Sequence, residues 1–313
     1  MGRRCIICCQ KKDVGEFNIE HVIPDSSGGD YKINNVCKDC NNLLGNTVDH
    51  DFLKNPLIKL LLIYYDIRNK KGKLPRLFKK DLASKDFQIK GRPIYNDRNG
   101  KLETVQYETV AESTDGKFHL KYDSLEPIED VLRECDIDEQ DKQKIMDKLG
   151  AEEYTDEHIP FKQEYDVNLV PLIIESCKIA YESACDVFKD DYLEDEIGKN
   201  IRKLLNDPNL FDGMKFKEIP LLNFQIKKVP IGENVKHYIF LTKTKRHILA
   251  QVMLLNYIET TLVISDNVDL FKNNVEMSII IDYWDKEEVL IKHLKGSDLP
   301  DDGIDLTSLN LFH

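Results

Sequence analysis

Apolar positions recur at two different periods along this chain. Phe52, Leu53, Leu57, Leu60, Leu61 and Tyr64 fall at helical spacings, so a helix is expected over 52–67, ended by Lys70-Lys71-Gly72-Lys73-Leu74-Pro75. From 87 to 121 the apolar runs shorten and are separated by Asn96-Asp97-Arg98-Asn99-Gly100 and Thr114-Asp115-Gly116, which predicts three short strands joined by two turns. A charge-rich helical stretch follows over 128–149. Over 169–188, Leu172, Ile173, Cys177, Ala180, Ala184 and Val187 form an apolar stripe, and 197–205 continues as a second helix. The period then drops toward two. Segments 235–242, 248–257, 261–265 and 277–283 are rich in β-branched and aromatic residues, so helices followed by an antiparallel meander are expected, an α+β arrangement.

A chain of 313 residues with 41% hydrophobic content carries enough apolar side chains for two domains. The expected division is a small N-terminal module over 1–70 and a larger acidic α+β body over 71–313, which opens with a basic connector and short strands at 71–122. The net charge of -12 is unevenly spread: residues 54–101 hold 14 Lys and Arg against 4 Asp and Glu, whereas residues 102–313 hold 24 against 44. A basic stretch of this kind suits a polyanion, because Lys and Arg contacts to phosphate supply sequence-independent affinity for nucleic acid. The acidic remainder would face away from such a partner. The longest apolar run, 57–65, is about half a membrane span and contains Lys59. Met1-Gly2-Arg3-Arg4 leads into the first cysteines with no apolar signal region, so a soluble cytoplasmic protein is expected.

In that compartment the eight cysteines are not read as disulfides. Cys5-x2-Cys8 and Cys37-x2-Cys40 form two knuckles suited to one tetrahedral structural zinc, while Cys177 and Cys185 read as core residues. Between the knuckles stand Glu20-His21 and Gly28-Gly29, and Asn41 follows Cys40 directly. Cutting a phosphodiester needs an activated water, a cation on the phosphoryl oxygens and help for the leaving oxygen. His21, with a reference pKa near 6.5, can take a proton from water at neutral pH. The Glu20 carboxylate and the Asn41 amide oxygen are hard ligands that suit Mg2+ or Mn2+. Neighbours on a strand point to opposite faces, but a strand that ends in a loop would let Glu20 and His21 converge on one cleft. His50, between Asp49 and Asp51, reads as a polar helix start with either aspartate as N-cap. His237 and His247 read as ordinary strand residues, and Lys243-Thr244-Lys245-Arg246 as a solvated turn.

Together Cys5-x2-Cys8, Glu20-His21-Val22-Ile23-Pro24, Gly28-Gly29, Asn34-Asn35-Val36 and Cys37-x2-Cys40-Asn41 resemble the four-cysteine branch of the HNH endonuclease family. The resemblance implies a ββα-metal fold in which a β-hairpin and helix grip one divalent cation. It implies that His21 is the general base, that Glu20 and Asn41 hold catalytic Mg2+ or Mn2+, that Asn35 (or Asn34) braces the loop, and that Cys5, Cys8, Cys37 and Cys40 carry structural zinc. The acid before His21 is glutamate where aspartate is more usual, and the stretch from the middle asparagine to Cys37 is short. Lys178-Ile179-Ala180-Tyr181-Glu182 is similar to C-terminal regions that accompany some bacterial HNH proteins of genome defence.

The expected activity is therefore metal-dependent hydrolysis of DNA by an N-terminal ββα-metal module, with the basic segment 54–101 aligning the backbone. The competing reading is a zinc-containing DNA-binding regulator without chemistry. Cutting both strands from one such site calls for two copies, which points to a homo-oligomer, although no heptad seam is present. The acidic C-terminal body would then bind a regulatory ligand or partner protein that releases the nuclease.

Overall fold

The computed structural model describes residues 2–78, 82–84, 90–107, 110–114, 117–121, 138–140, 142–143, 161–162, 165, 167–212, 221–227, 234–284 and 289–295. The chain divides into two units: one joins residues 1–71 with 167–313, and the other spans 72–166. The α+β class is as expected. The N-terminal segment and the C-terminal helices and sheet lie in the same unit, on either side of the inserted one in sequence.

The first unit opens with two short hairpins. Strands β1 (Arg3–Arg4) and β2 (Lys11–Lys12) pair antiparallel, as do β3 (Glu20–His21) and β4 (Lys32–Ile33). Helices α1 (Lys38–Asn46), α2 (Val48–Lys54) and α3 (Pro56–Tyr64) follow. The single helix expected over 52–67 is thus divided. Pro56 has no N–H to continue α2 but is pre-shaped for a first helical turn, and the Asn55 side chain caps α3 by accepting from the Leu57 N–H at 3.0 Å.

The second unit contains a four-stranded antiparallel sheet in the order β10–β5–β6–β7: Phe161–Lys162, Leu82–Ser84, Lys90–Tyr95 and Leu102–Tyr107. Separately, β8 (Val110–Thr114) pairs with β9 (Lys117–Lys121). The expected turn at Asn96-Gly100 is present: the Gly100 N–H donates to the Asn96 carbonyl at 2.9 Å, and the Asn96 side chain accepts from the Arg98 and Asn99 amides. Gly100 has φ +76°, and a Cβ there would meet the Leu74 carbonyl oxygen at 2.7 Å. The turn at 115–116 and most of the helix expected over 128–149 lie outside the described residues.

After residue 167 the chain forms α4 (Val170–Phe188) and α5 (Glu196–Asn206), then six strands: β11 (Leu221–Ile226), β12 (Val235–Lys243), β13 (Ile248–Leu254), β14 (Ile258–Ser265), β15 (Val275–Tyr283) and β16 (Leu290–Lys295). They make one antiparallel sheet in the order β11–β14–β13–β12–β15–β16. The central strands β12 and β15 are buried on both faces. Ile239, Leu241 and Ile280 join the main core, while Tyr238, Phe240, Ile279 and Ile281 form a second cluster on the reverse face. The edge strands β11 and β16 are exposed or half-buried apart from Leu294, and they hold one β-branched residue each, Ile226 and Ile291. Among the described residues no helix is long and apolar enough to cross a membrane.

Helix α4 is the axis of the first unit. It packs against α2 on one side and β13 and β14 on the other, so its residues from Leu172 to Cys185 are buried on every face, as expected for Cys177 and Cys185 but also for Glu175, Lys178 and Glu182. It binds the N-terminal segment directly: the Tyr181 hydroxyl donates to the Ile6 carbonyl at 2.6 Å, and the Tyr31 hydroxyl donates to Asp186 at 2.7 Å. The sheet adds a second tie. Lys236 bridges Asp30 and Asp282 at 2.9 and 3.0 Å, and the Asp282 carboxylate accepts from the Asp30 N–H.

His237, expected to be an ordinary strand residue, is fully buried, with its Nδ1 accepting from the Leu255 N–H at 3.2 Å. Burial, helped by the neighbouring Lys236 charge, pushes its pKa down to about 3. The unfolded chain protonates this ring near pH 6.5 while the folded one resists, so its contribution is complete above about pH 6.5 and is lost as pH falls toward 3. Unfolding in urea, followed by fluorescence of the only tryptophan, Trp284 of this unit, should weaken from pH 7 to pH 5 in the wild type. His237→Gln should lower stability at pH 7 and remove up to about 1.4 kcal/mol per pH unit of that slope. Equal slopes in the two proteins would remove His237 as the cause.

Candidate active site

The four cysteines of the two knuckles come together as their spacing required. The Sγ atoms of Cys5, Cys8, Cys37 and Cys40 all lie within 4.8 Å of one another, and this is the one group of three or more His, Cys, Asp or Glu ligands so gathered among the described residues. Backbone geometry builds the cage. Between β1 and β2 the Cys9 N–H donates to the Cys5 carbonyl at 2.9 Å, with Cys9 at φ +58°. Cys37 is the N-cap residue of α1, its N–H donating to Cys5 Sγ at 3.3 Å, and Cys40 stands in the first helical turn. The hydrogen bond from Cys40 holds the Cys5 thiol down to about 4, so the cage favours a thiolate even before a metal supplies its charge. The donor set and its closeness fit structural zinc.

The β3–β4 hairpin carries Glu20 and His21. Glu20 pairs with Ile33 and His21 with Lys32. Because both residues sit within a paired register, they keep strand geometry and point to opposite faces, so they do not converge on one cleft. The loop behind them is tight: a Cβ on Gly29 would lie 2.2 Å from the Ile23 carbonyl oxygen, which excludes any other residue there.

His21 faces outward, with a quarter of its side chain exposed and its Nε2 3.9 Å from Asp25 Oδ1. Partial burial lowers its pKa; the Asp25 charge opposes this, and Lys32, Lys70 and Lys178 add to it. The imidazole is therefore a free base at neutral pH. Lys70 also pairs with Asp25, at 3.3 Å. Beside the hairpin an open pocket of about 520 Å³ is lined by Arg3, Lys32 and Lys189 together with Asn34, Asn35 and Asp186. Thus Lys32 and Lys70 are cations that act on His21, while Arg3 and Lys189 line the pocket together with Lys32. Of these only Lys70 belongs to the basic segment 54–101, whose chain divides between the two units.

Glu20 faces inward and is 3% exposed. Its Oε1 is 3.0 Å from the ammonium of Lys178 on α4, which also meets Asp49 Oδ1 at 2.8 Å and the His21 carbonyl oxygen at 3.1 Å. Burial raises the Glu20 pKa and Lys178 opposes that rise. Burial alone would lower the Lys178 pKa, but Glu175, Asp49, Glu182 and Glu20 together raise it well above the ordinary lysine value. Asp49, one of the two aspartates expected as a helix cap, is spent on this ion pair, and Thr47 stands at the N-cap of α2.

Asn41 lies in α1, where its Nδ2 donates to the Ile19 carbonyl at 3.0 Å, fixing its amide beside the strand that carries His21. The Asn35 carbonyl accepts from the Ile6 N–H at 3.1 Å, while its buried Oδ1 has no hydrogen-bond partner among the described residues. Asn34 instead holds Arg3 through both its carbonyl and its Oδ1. The structure therefore brings His21 and Asn41 to the same hairpin and turns Glu20 to its reverse. Sequence reasoning missed Asp25 and Lys178. Asp25, four residues beyond His21, carried a signal only in retrospect, whereas Lys178 is more than 150 residues away.

Residues 5–57 match the HNH endonuclease family model. The matched stretch covers both knuckles, the β3–β4 hairpin, α1 and α2, so this part of the chain is similar to the HNH endonuclease family. No curated protein and no solved structure matches the chain. The zinc assignment predicts close to one Zn2+ per chain in the purified protein, read by atomic emission. Cys40→Ser should lower that content and reduce the melting temperature by more than about 5 °C. A variant that melts like the wild type and lacks zinc would show that the cage is not structural.

Proposed function

We propose that this protein is a metal-dependent endonuclease that hydrolyses DNA phosphodiester bonds, with His21 as general base. The observation that carries the reading is the placement of His21: a neutral imidazole on the outward face of an HNH hairpin, beside a carboxylate and among lysines. His21 takes the proton from the attacking water, and the nearby Asp25 carboxylate stabilises the imidazolium that forms. Lys32 and Lys70, with Arg3 and Lys189, draw the phosphate backbone across this face. Mg2+ or Mn2+ bound here would neutralise charge on the phosphoryl and leaving oxygens. Of the two residues expected to hold it, Asn41 stands at the hairpin. The Glu20 carboxylate is committed to Lys178, and Asp25 is the carboxylate available on the outward face. Bacterial genome defence rests on the sequence resemblance, and a signal-sensing C-terminal body on the acidic charge of residues 102–313. Because that body shares a core with the module, we read it first as scaffold.

One observation favours the competing reading, a zinc-stapled DNA-binding protein without chemistry: the acid next to His21 is buried. The two are separated by incubating the full chain with supercoiled plasmid and Mg2+ or Mn2+. The nuclease reading expects nicked or linear product, a loss of about 100-fold or more in rate for His21→Ala, and weaker, more salt-sensitive binding for Lys32→Ala. Binding with no cleavage under either metal would leave the regulator reading standing.

A further inference from the structure

The His21 strand cannot hold its own orientation. β3 and β4 are two residues long and pair only with each other, too little ladder to be stable without outside support. What lies behind them is a single fully buried ammonium, presented by the most enclosed helix of the unit. An ammonium has three N–H donors, and Lys178 has three close oxygen acceptors: Glu20 Oε1 at 3.0 Å, Asp49 Oδ1 at 2.8 Å and the His21 carbonyl at 3.1 Å. Two of these belong to consecutive residues of β3, and the third belongs to α2. Glu175 Oε1 follows at 3.8 Å, and the Glu175 and Glu182 carboxyl groups, whose pKa burial raises well above the ordinary carboxylate value, have no hydrogen-bond partner among the described residues, so neither replaces the three close acceptors.

We propose that Lys178 is the positioning residue of the nuclease centre: by gripping the Glu20 side chain and the His21 carbonyl from behind, it fixes the face on which the His21 imidazole stands, and Glu20 serves as its anchor point rather than as a cation ligand. This rests on the reading of His21 as the base. Along a strand, a pull on one residue's inward side chain sets the outward direction of the next. The guanidinium of arginine, planar and larger, would not reproduce three convergent contacts in this space.

The test uses the full chain, with wild type, Lys178→Met, Glu20→Gln, the double variant and Asp49→Asn, each checked for zinc content and compared at a temperature where it is folded. Plasmid cleavage is measured against DNA and Mn2+ concentration, and the His21 ring is observed by NMR in 13C-histidine-labelled protein. Lys178→Met should lower kcat by at least about tenfold while KM for DNA and the Mn2+ requirement stay within about twofold, and should move the His21 resonances. Glu20→Gln should show the same pattern. The double variant should be no worse than about the worse single variant, since the two act through one contact. Asp49→Asn, which leaves Lys178 and Glu20 in place, should give a smaller loss of the same kind and carries the test if Lys178→Met does not fold.

An unchanged kcat with unmoved His21 resonances in folded Lys178→Met, or in Asp49→Asn where that variant carries the test, overturns the proposal. So does a rise in Mn2+ requirement for Glu20→Gln, which would make Glu20 a cation ligand. If the wild type cuts no DNA with either metal, the nuclease reading fails, and the His21 resonances alone then decide whether Lys178 orients the strand.

Discussion

A lysine ammonium removed from water is among the more demanding groups a protein can bury, and it is tolerated only where acceptors converge on it from several elements at once. Lys178 meets that condition by drawing in Glu20 and His21 from the hairpin and Asp49 from α2. Each of those elements is too short to be stable alone. The ion network therefore acts as a register mark: the N-terminal segment has one arrangement against α4 in which every donor of the ammonium is filled, and in that arrangement His21 points outward.

The zinc cage and the ion network divide the work of holding the module. The cage ties the first hairpin to the start of α1, which sets Asn41, while the network and the Tyr181–Ile6 and Tyr31–Asp186 hydrogen bonds tie the module to the body. Thiolate cage and buried ammonium are both electrostatic devices, and both are needed because the hairpins offer few apolar side chains of their own. The apolar residues they do have, among them Ile6, Ile7, Val22 and Ile23, belong to one core with those of α4.

What could be read from the sequence was whatever depended on short spacing. The two Cys-x2-Cys pairs closed as a tetrad, the His and Asn positions reached one hairpin, and the four strands with dense β-branched content were found. The rest depended on distance or on exposure. β11 and β16 escaped because each holds a single β-branched residue, Ile226 and Ile291. The Asn55-Pro56 break was visible as a dipeptide but was outweighed by the apolar spacing on both sides of it. Glu175, Lys178 and Glu182, at helical spacing, look like the solvated side of an amphipathic helix, and nothing local says that a second layer will cover them. The inward turn of Glu20 was hidden for the same reason, since its partner lies on a helix far along the chain.

The insertion of residues 72–166 between the two parts of the first unit has a consequence for how the protein is made. The knuckles and the His21 hairpin leave the ribosome well before α4 does. At roughly 5–20 residues per second, the intervening stretch takes on the order of 5–20 s to synthesise. During that interval the nascent module has its cysteines but not its lysine. Synthesis thus orders the events, gathering of the cysteines first and fixing of the His21 strand last, so that a chain interrupted before α4 carries both knuckles and the hairpin without the contacts that set them.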